Sequence, residues 1–207
     1  MRIIAGSRRG TKLTKLDAAN TRPTADRVRE SLFNILDAGR FRRILDGAVV
    51  IDAFAGTGAL GLEALSRGAE SAYFIEQDSS ALRVLRANIQ KLDMQSRSQI
   101  IAGNASSLSH WPHPPATLLF ADAPYHSGAG QLAAQAIQSL GGLAQDAVIV
   151  IETHKTEVID AAQLAAGFIT HDDSRIYGKA ALHFCTHNAG SESVSYTHLT
   201  LPTILLV

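Results

Sequence analysis

Val49-Val50-Ile51-Asp52-Ala53-Phe54-Ala55-Gly56-Thr57-Gly58-Ala59-Leu60-Gly61 is an apolar run closed by an acid, followed by a glycine-rich turn and then by residues suited to a helix. A short continuous apolar run reads as a strand covered on both faces, and G-x-G-x-x-G at 56, 58 and 61 reads as a tight strand-to-helix turn. The same alternation extends outward. Upstream, Pro23-Thr24-Ala25-Asp26 opens a helix with Val28, Leu32, Ile35 and Leu36 at helical spacing, and Gly39 is expected to stop it. Downstream come a helix to Gly68, the strand Ala72-Tyr73-Phe74-Ile75 and a helix with Leu82, Leu85, Ile89 and Leu92 on one face. Then follow Gln99-Ile100-Ile101, Leu118-Leu119-Phe120, a helix from Leu132 to Leu140, and Val148-Ile149-Val150-Ile151. Phe168-Ile169-Thr170 and Ala180-Ala181-Leu182-His183-Phe184, joined around Tyr177-Gly178-Lys179, read as a closing antiparallel pair. The fold class is α/β: a doubly wound, mostly parallel seven-stranded sheet of Rossmann-like form, with a basic N-terminal hairpin and helix as an extension.

Composition narrows the setting. The 207 residues are 46% hydrophobic and 18% charged, ordinary for a globular protein. No apolar run approaches the roughly 20 residues that span a bilayer, and Met1 to Gly6 lacks the apolar stretch of a signal peptide, so a cytoplasmic protein with no membrane partner is expected. Cys185 is the single cysteine, which excludes an intrachain disulfide and a cysteine metal cluster. His110 and His113 sit among Pro112, Pro114 and Pro115, a loop setting that fits surface histidines better than metal ligands, so no metal is expected.

Net charge is zero, but it is unevenly spread. Residues 1 to 47 hold eleven Lys/Arg against five Asp/Glu, and the remainder is acidic by the same margin. Arg2, Arg8, Arg9, Lys12, Lys15 and Arg22 fall in a glycine-containing segment with few large apolar residues. That suits an arm laid on phosphates, and equally a solvated basic face.

Two further features carry chemistry. Glu76 ends the second strand twenty residues after Gly56, where an acid can bind both hydroxyls of a ribose. A nucleoside cofactor follows, either a dinucleotide or S-adenosylmethionine. Asp52, four residues before Gly56, would repel a pyrophosphate and attract a methionine ammonium, which favours S-adenosylmethionine. After the third strand, Asn104 and the backbone N–H of Ala105 offer contacts to an adenine edge, although an asparagine there also suits stabilising its own turn. Asp122-Ala123-Pro124-Tyr125 closes the fourth strand with a carboxylate, a proline-fixed turn and an aromatic ring, a set that binds and orients a flat, nitrogen-bearing substrate such as a nucleobase. The plainer reading makes Asp122 a turn cap and Tyr125 a core residue.

Together these motifs carry a family resemblance. Asp52 to Gly58 resembles the first motif of class I methyltransferases, and Asp122-Ala123-Pro124-Tyr125 resembles their Asp/Asn-Pro-Pro-Tyr motif for amino-group methylation. Arg2-Ile3-Ile4-Ala5-Gly6 with Arg8-Arg9-Gly10, Arg22-Pro23-Thr24-Ala25-Asp26-Arg27-Val28-Arg29-Glu30-Ser31-Leu32-Phe33-Asn34, and Gly58 to Ala69 resemble the RsmD family across residues 1 to about 187. The resemblance implies S-adenosylmethionine-dependent methylation of the N2 amine of a guanine in 16S ribosomal RNA, within an assembled or assembling small subunit, by a monomer. It implies cofactor contacts from Asp52, Phe54, Gly56, Gly58, Glu76, Asn104 and Ala105, and substrate contacts from Asp122, Ala123, Pro124 and Tyr125. RNA contacts are implied for Arg2, Arg8, Arg9, Lys12, Arg22 and Arg27. Ala123 stands where the family usually has proline, and Asn104 where many relatives carry aspartate. Three other readings remain: a DNA adenine-N6 methyltransferase, a nicotinamide oxidoreductase and a non-catalytic RNA-binding or assembly module. Residues 1–22 are expected to form the arm, 23–187 the methyltransferase domain, and 188–207 a tail. Within that tail, Val194 to Thr203 resembles a translated sequencing adapter, with a natural terminus as the other reading.

Overall fold

β-branched and aromatic runs form the strands of a single sheet, and the amphipathic segments between them form its covering helices. The computed structural model describes residues 1–16 and 23–188. In chain order it contains α1 (Pro23–Leu36), β1 (Val49–Asp52), α2 (Ala59–Ser66), β2 (Ser71–Glu76), α3 (Ser79–Lys91), β3 (Ser98–Ala102), β4 (Ala116–Asp122), α4 (Ala129–Ser139), β5 (Leu143–His154), α5 (Ala161–Ala166), β6 (Ile169–Tyr177) and β7 (Ala180–His187). The seven strands lie in the order β3-β2-β1-β4-β5-β7-β6. β1 to β5 are mutually parallel, and β7 runs antiparallel to both β5 and β6. The closing pair follows from its connection: Gly178-Lys179 is too short for a crossover and long enough for a hairpin.

Several boundaries differ from the sequence reading. Gly39 does not end the first helix, which stops at Leu36, leaving Gly39 to open a separate 3-10 turn. α4 begins at Ala129 rather than Leu132, and β5 extends well beyond Val148–Ile151 because its N-terminal half still pairs with β4 at Ala116. α5 has no counterpart in the sequence pattern, its six residues being too few to display a helical period.

The helices divide between the two faces. Leu32, Phe33, Leu62, Leu65, Leu85 and Ile89 from α1, α2 and α3 bury Val50, Phe74, Phe120 and Val150. On the opposite face Ala133, Ala134, Ile137 and Leu164 from α4 and α5 cover Ile51, Ile75, Leu119 and Ile149. Winding therefore reverses between β1 and β4, the crevice where ligands of open α/β sheets bind.

The basic N-terminal segment is a hairpin docked on the first face. Ile3 exchanges backbone bonds with Thr11 and Gly10, Arg2 pairs with Lys12, and Ile3 and Leu13 are buried in the core. Glu63 of α2, itself fully buried, accepts the N–H groups of Ile4 (2.7 Å) and Ala5 (3.0 Å) and Nε of Arg67 (2.7 Å). Ser66 Oγ donates to Ala5 O and accepts from Arg8 N. Only glycine fits at position 6: its φ is +79°, and a Cβ there would lie 1.8 Å from the Ser66 carbonyl oxygen. Arg22 and residues 189–207, including most of the expected tail, lie outside the described residues.

Candidate active site

Three adjacent strands end in acids, and the fourth carries one two residues before its end, all on the same face. β1 residue Asp52 is in register with Phe74 and Phe120, so Glu76 and Asp122, two residues beyond those partners, sit one row higher and point the same way. Asp122 is the direct register partner of Glu152. Across the sheet the row reads Glu76 (β2), Asp52 (β1), Asp122 (β4) and Glu152 (β5), with the switch point at its centre.

The β1–β2 half cradles the glycine turn. Asp52 is 1% exposed, and its Oδ2 accepts the Gly61 N–H at 3.0 Å. Burial pushes its carboxyl up to about 7; the Gly61 bond offsets part of this, and the nearby Glu76 charge adds to it. Glu76 Oε2 accepts from Gly56 N at 2.8 Å, while Oε1 accepts from Gln77 N and Asp78 N at 2.8 and 2.7 Å. The carboxylate thus fixes the turn as well as facing the crevice. Gly58 caps α2 with φ +81°, and a Cβ on it would meet Leu85 Cδ1 at 2.5 Å. Phe54 is half-buried beside the α4 face. Asn104 Oδ1 takes the Ser106 N–H at 2.9 Å, so the plainer of its two readings describes that oxygen and leaves the amide N–H₂ as donor. Ala105 is buried behind it.

The β4–β5 half holds the second motif. Asp122 and Pro124 are exposed, Ala123 is buried and Tyr125 half-buried. Tyr125 does not belong to either core cluster. Its hydroxyl donates to Glu152 Oε1 at 2.9 Å, and its ring meets His154 edge-on at 5.6 Å. The turn beyond is closed by Ser127, whose Oγ donates to Pro124 O at 2.5 Å and accepts from Ala129 N at 3.2 Å. Glu152 and His154 were absent from the sequence-derived site. The sequence carries a signal for Glu152: it follows Ile151 just as Asp52 follows Ile51 and Glu76 follows Ile75, an acid closing an apolar run.

The hairpin is tied to the glycine turn. Asn88 of α3 is fully buried; its Oδ1 accepts from Thr14 N (2.8 Å), and its Nδ2 donates to Thr14 O (3.1 Å) and Thr57 O (2.9 Å). Arg2, Arg9, Lys12 and Arg27 are exposed, whereas Arg8 is half-buried and reaches Asp93 at 3.4 Å. Among the described residues no group of His, Cys, Asp or Glu is arranged to hold a metal ion, and no helix is long and apolar enough to cross a membrane.

Residues 1–186 match the family model described as Conserved hypothetical protein 95. A curated relative, ribosomal RNA small subunit methyltransferase D of Escherichia coli K12, is 34% identical over 193 residues, covering 93% of both chains. The chain belongs to the RsmD methyltransferase family. The Haemophilus influenzae RsmD protein is 36% identical over 159 residues, 75% of this chain and 79% of its own. The solved structure of yhhF from Escherichia coli superposes with a TM-score of 0.76 at 32% identity, covering 92% of this chain and 99% of that one.

Proposed function

We propose that this RsmD-family chain transfers a methyl group from S-adenosylmethionine to the exocyclic N2 of a guanine in 16S ribosomal RNA, acting as a monomer on the assembling or assembled small subunit in the cytoplasm. The observation that carries the reading is the acid row: two carboxylates flanking a glycine turn on β1 and β2, and beside them the Asp122–Tyr125 turn on β4. The donor set fits the cofactor. Asp52 suits an ammonium, Glu76 has acceptor capacity for ribose hydroxyls beyond its three backbone bonds, and Asn104 retains an N–H₂ donor. Bound there, the cofactor would supply an electrophilic methyl on a sulfonium.

The chain's own residues then address the weak nucleophile. The lone pair of a guanine amine is delocalised into the ring. Accepting its two hydrogens at the Asp122 carboxylate and the Ala123 carbonyl localises that pair on nitrogen. Alanine keeps this carbonyl, and Pro124 holds Ala123 away from helical backbone, so the departure from the family's proline leaves the acceptor in place. The Tyr125 ring, with its hydroxyl bonded to Glu152, stacks the base after it leaves its own stack. Asp122 or a water receives the released proton.

The basic hairpin supplies sequence-independent affinity through Arg2, Arg9 and Lys12, joined by Arg27 of α1, with Arg8 and Arg22 as further phosphate contacts. Labelled S-adenosylmethionine offered in parallel to unmethylated small subunits, free ribosomal RNA and DNA tests the reading. N2-methylguanosine in the subunits, identified by mass spectrometry, is expected. N6-methyladenine in DNA, or RNA binding without methyl transfer, would replace the reading with one of its rivals.

A further inference from the structure

We propose that Glu152 selects guanine over the other amine-bearing bases by accepting its ring N1–H, an inference that rests on the proposed function. Asp122 and the Ala123 carbonyl grip an amine and nothing more, so they would serve adenine, cytosine or guanine alike. The three bases differ next to that amine. Beside the amines of adenine and cytosine lies a ring nitrogen with a lone pair, whereas N1 of guanine carries a hydrogen. A second carboxylate beside the amine grip therefore welcomes guanine and repels the other two.

Glu152 occupies that place. It is in register with Asp122 on the adjacent parallel strand, so the two backbones lie about 4.8 Å apart and the side chains share a face. Its carboxylate is half-buried, which strengthens a charged hydrogen bond relative to one in water, and Oε1 is pinned by the Tyr125 hydroxyl at 2.9 Å. A carboxylate has about four acceptor sites, so this bond is compatible with a base N–H as well. The ring that stacks the base and the acid that reads its edge are thereby held in one unit.

The test replaces the guanine found methylated by wild-type enzyme with 2-aminopurine, which keeps the N2 amine but has a lone pair at N1. Wild-type kcat/KM should fall by about 10- to 100-fold on the analogue, the worth of one charged hydrogen bond. Glu152→Gln should lose a similar factor on guanine and none on 2-aminopurine, because its amide N–H₂ can donate to the bare N1. Tyr125→Phe keeps the stacking ring but releases Glu152 Oε1, so it should lower activity on guanine more than on 2-aminopurine and narrow the ratio. Equal losses on both substrates for Glu152→Gln would overturn the inference and make Glu152 a positioning residue for Tyr125. Wild-type enzyme using both bases equally would overturn it without any variant. Absence of N2-methylguanosine from the wild-type reaction would be a failure of the proposed function instead, visible before the analogue is tried.

Discussion

Asp52→Asn separates charge from geometry at the centre of the acid row. The amide oxygen still accepts the Gly61 N–H, but no charge can form in a site that is 1% exposed. Below about pH 4 the wild-type carboxyl is protonated in folded and unfolded chains alike. Between about 4 and 7 the unfolded chain releases the proton and the folded one keeps it, so stability falls as pH rises, and above about 7 the full cost of a buried charge is present. Raising the carboxyl from 3.8 to about 7 corresponds to roughly 4 kcal/mol. Urea unfolding should therefore find the variant close to wild type near pH 4 and more stable by an amount approaching about 4 kcal/mol at pH 8. His183, held down at about 4 by burial, works in the opposite direction, adding stability as pH rises towards its ordinary value. It is common to both proteins and drops out of the difference. A stability difference that does not change between pH 5 and 8 would refute the account of Asp52.

Cofactor binding tests the same carboxyl from the other side. Pairing with an ammonium requires Asp52 charged, so wild-type affinity for S-adenosylmethionine should weaken by about tenfold for each pH unit below 7 and level off above it. Calorimetry between pH 5.5 and 7.0 keeps the ligand's own amino group, an α-amine titrating at about 8, mostly charged. The variant should bind weakly, with no such slope, and parallel profiles would remove Asp52 from the cofactor site.

Asp122→Ala should reduce turnover by about 10² to 10³ while leaving S-adenosylmethionine affinity near wild type; near-normal turnover would deny Asp122 its role. Replacing the exposed Arg9 and Lys12 with alanine should leave stability within about 0.5 kcal/mol and flatten the salt dependence of RNA binding by about 0.7 to 0.9 in slope per lost phosphate contact. An unchanged slope would show that the hairpin does not touch phosphate. Glu63→Ala removes the acceptor of Ile4 N, Ala5 N and Arg67 Nε, so a loss of about 3 to 5 kcal/mol is expected, with faster amide exchange at Ile4 and Ala5. Persistent protection at those amides would mean that the hairpin is held by other contacts.

Wherever the cause is local, the sequence was readable. Each parallel strand is a short apolar run because both its faces are covered, and the glycine turn follows β1 because the chain must reverse tightly into α2. The boundary differences have separate reasons. α5 is too short for a period, and the outer half of β5 is a strand because β4 pairs with it. Asn104 was ambiguous since one amide serves either its own turn or a ligand, and its oxygen serves the turn.

By itself, the sequence determined the α/β alternation, the glycine turn, the Asp122–Tyr125 tetrapeptide at a strand end and a basic N-terminal segment, all of them properties of contiguous residues. Only the tertiary structure decided that Glu152 stands beside Asp122, that Asn88 joins Thr14 to Thr57, and that buried Glu63 anchors the hairpin. The physical reason is register. Residues far apart in the chain become neighbours when parallel strands pair and helices pack on them, and no local pattern encodes which strand lies next to which.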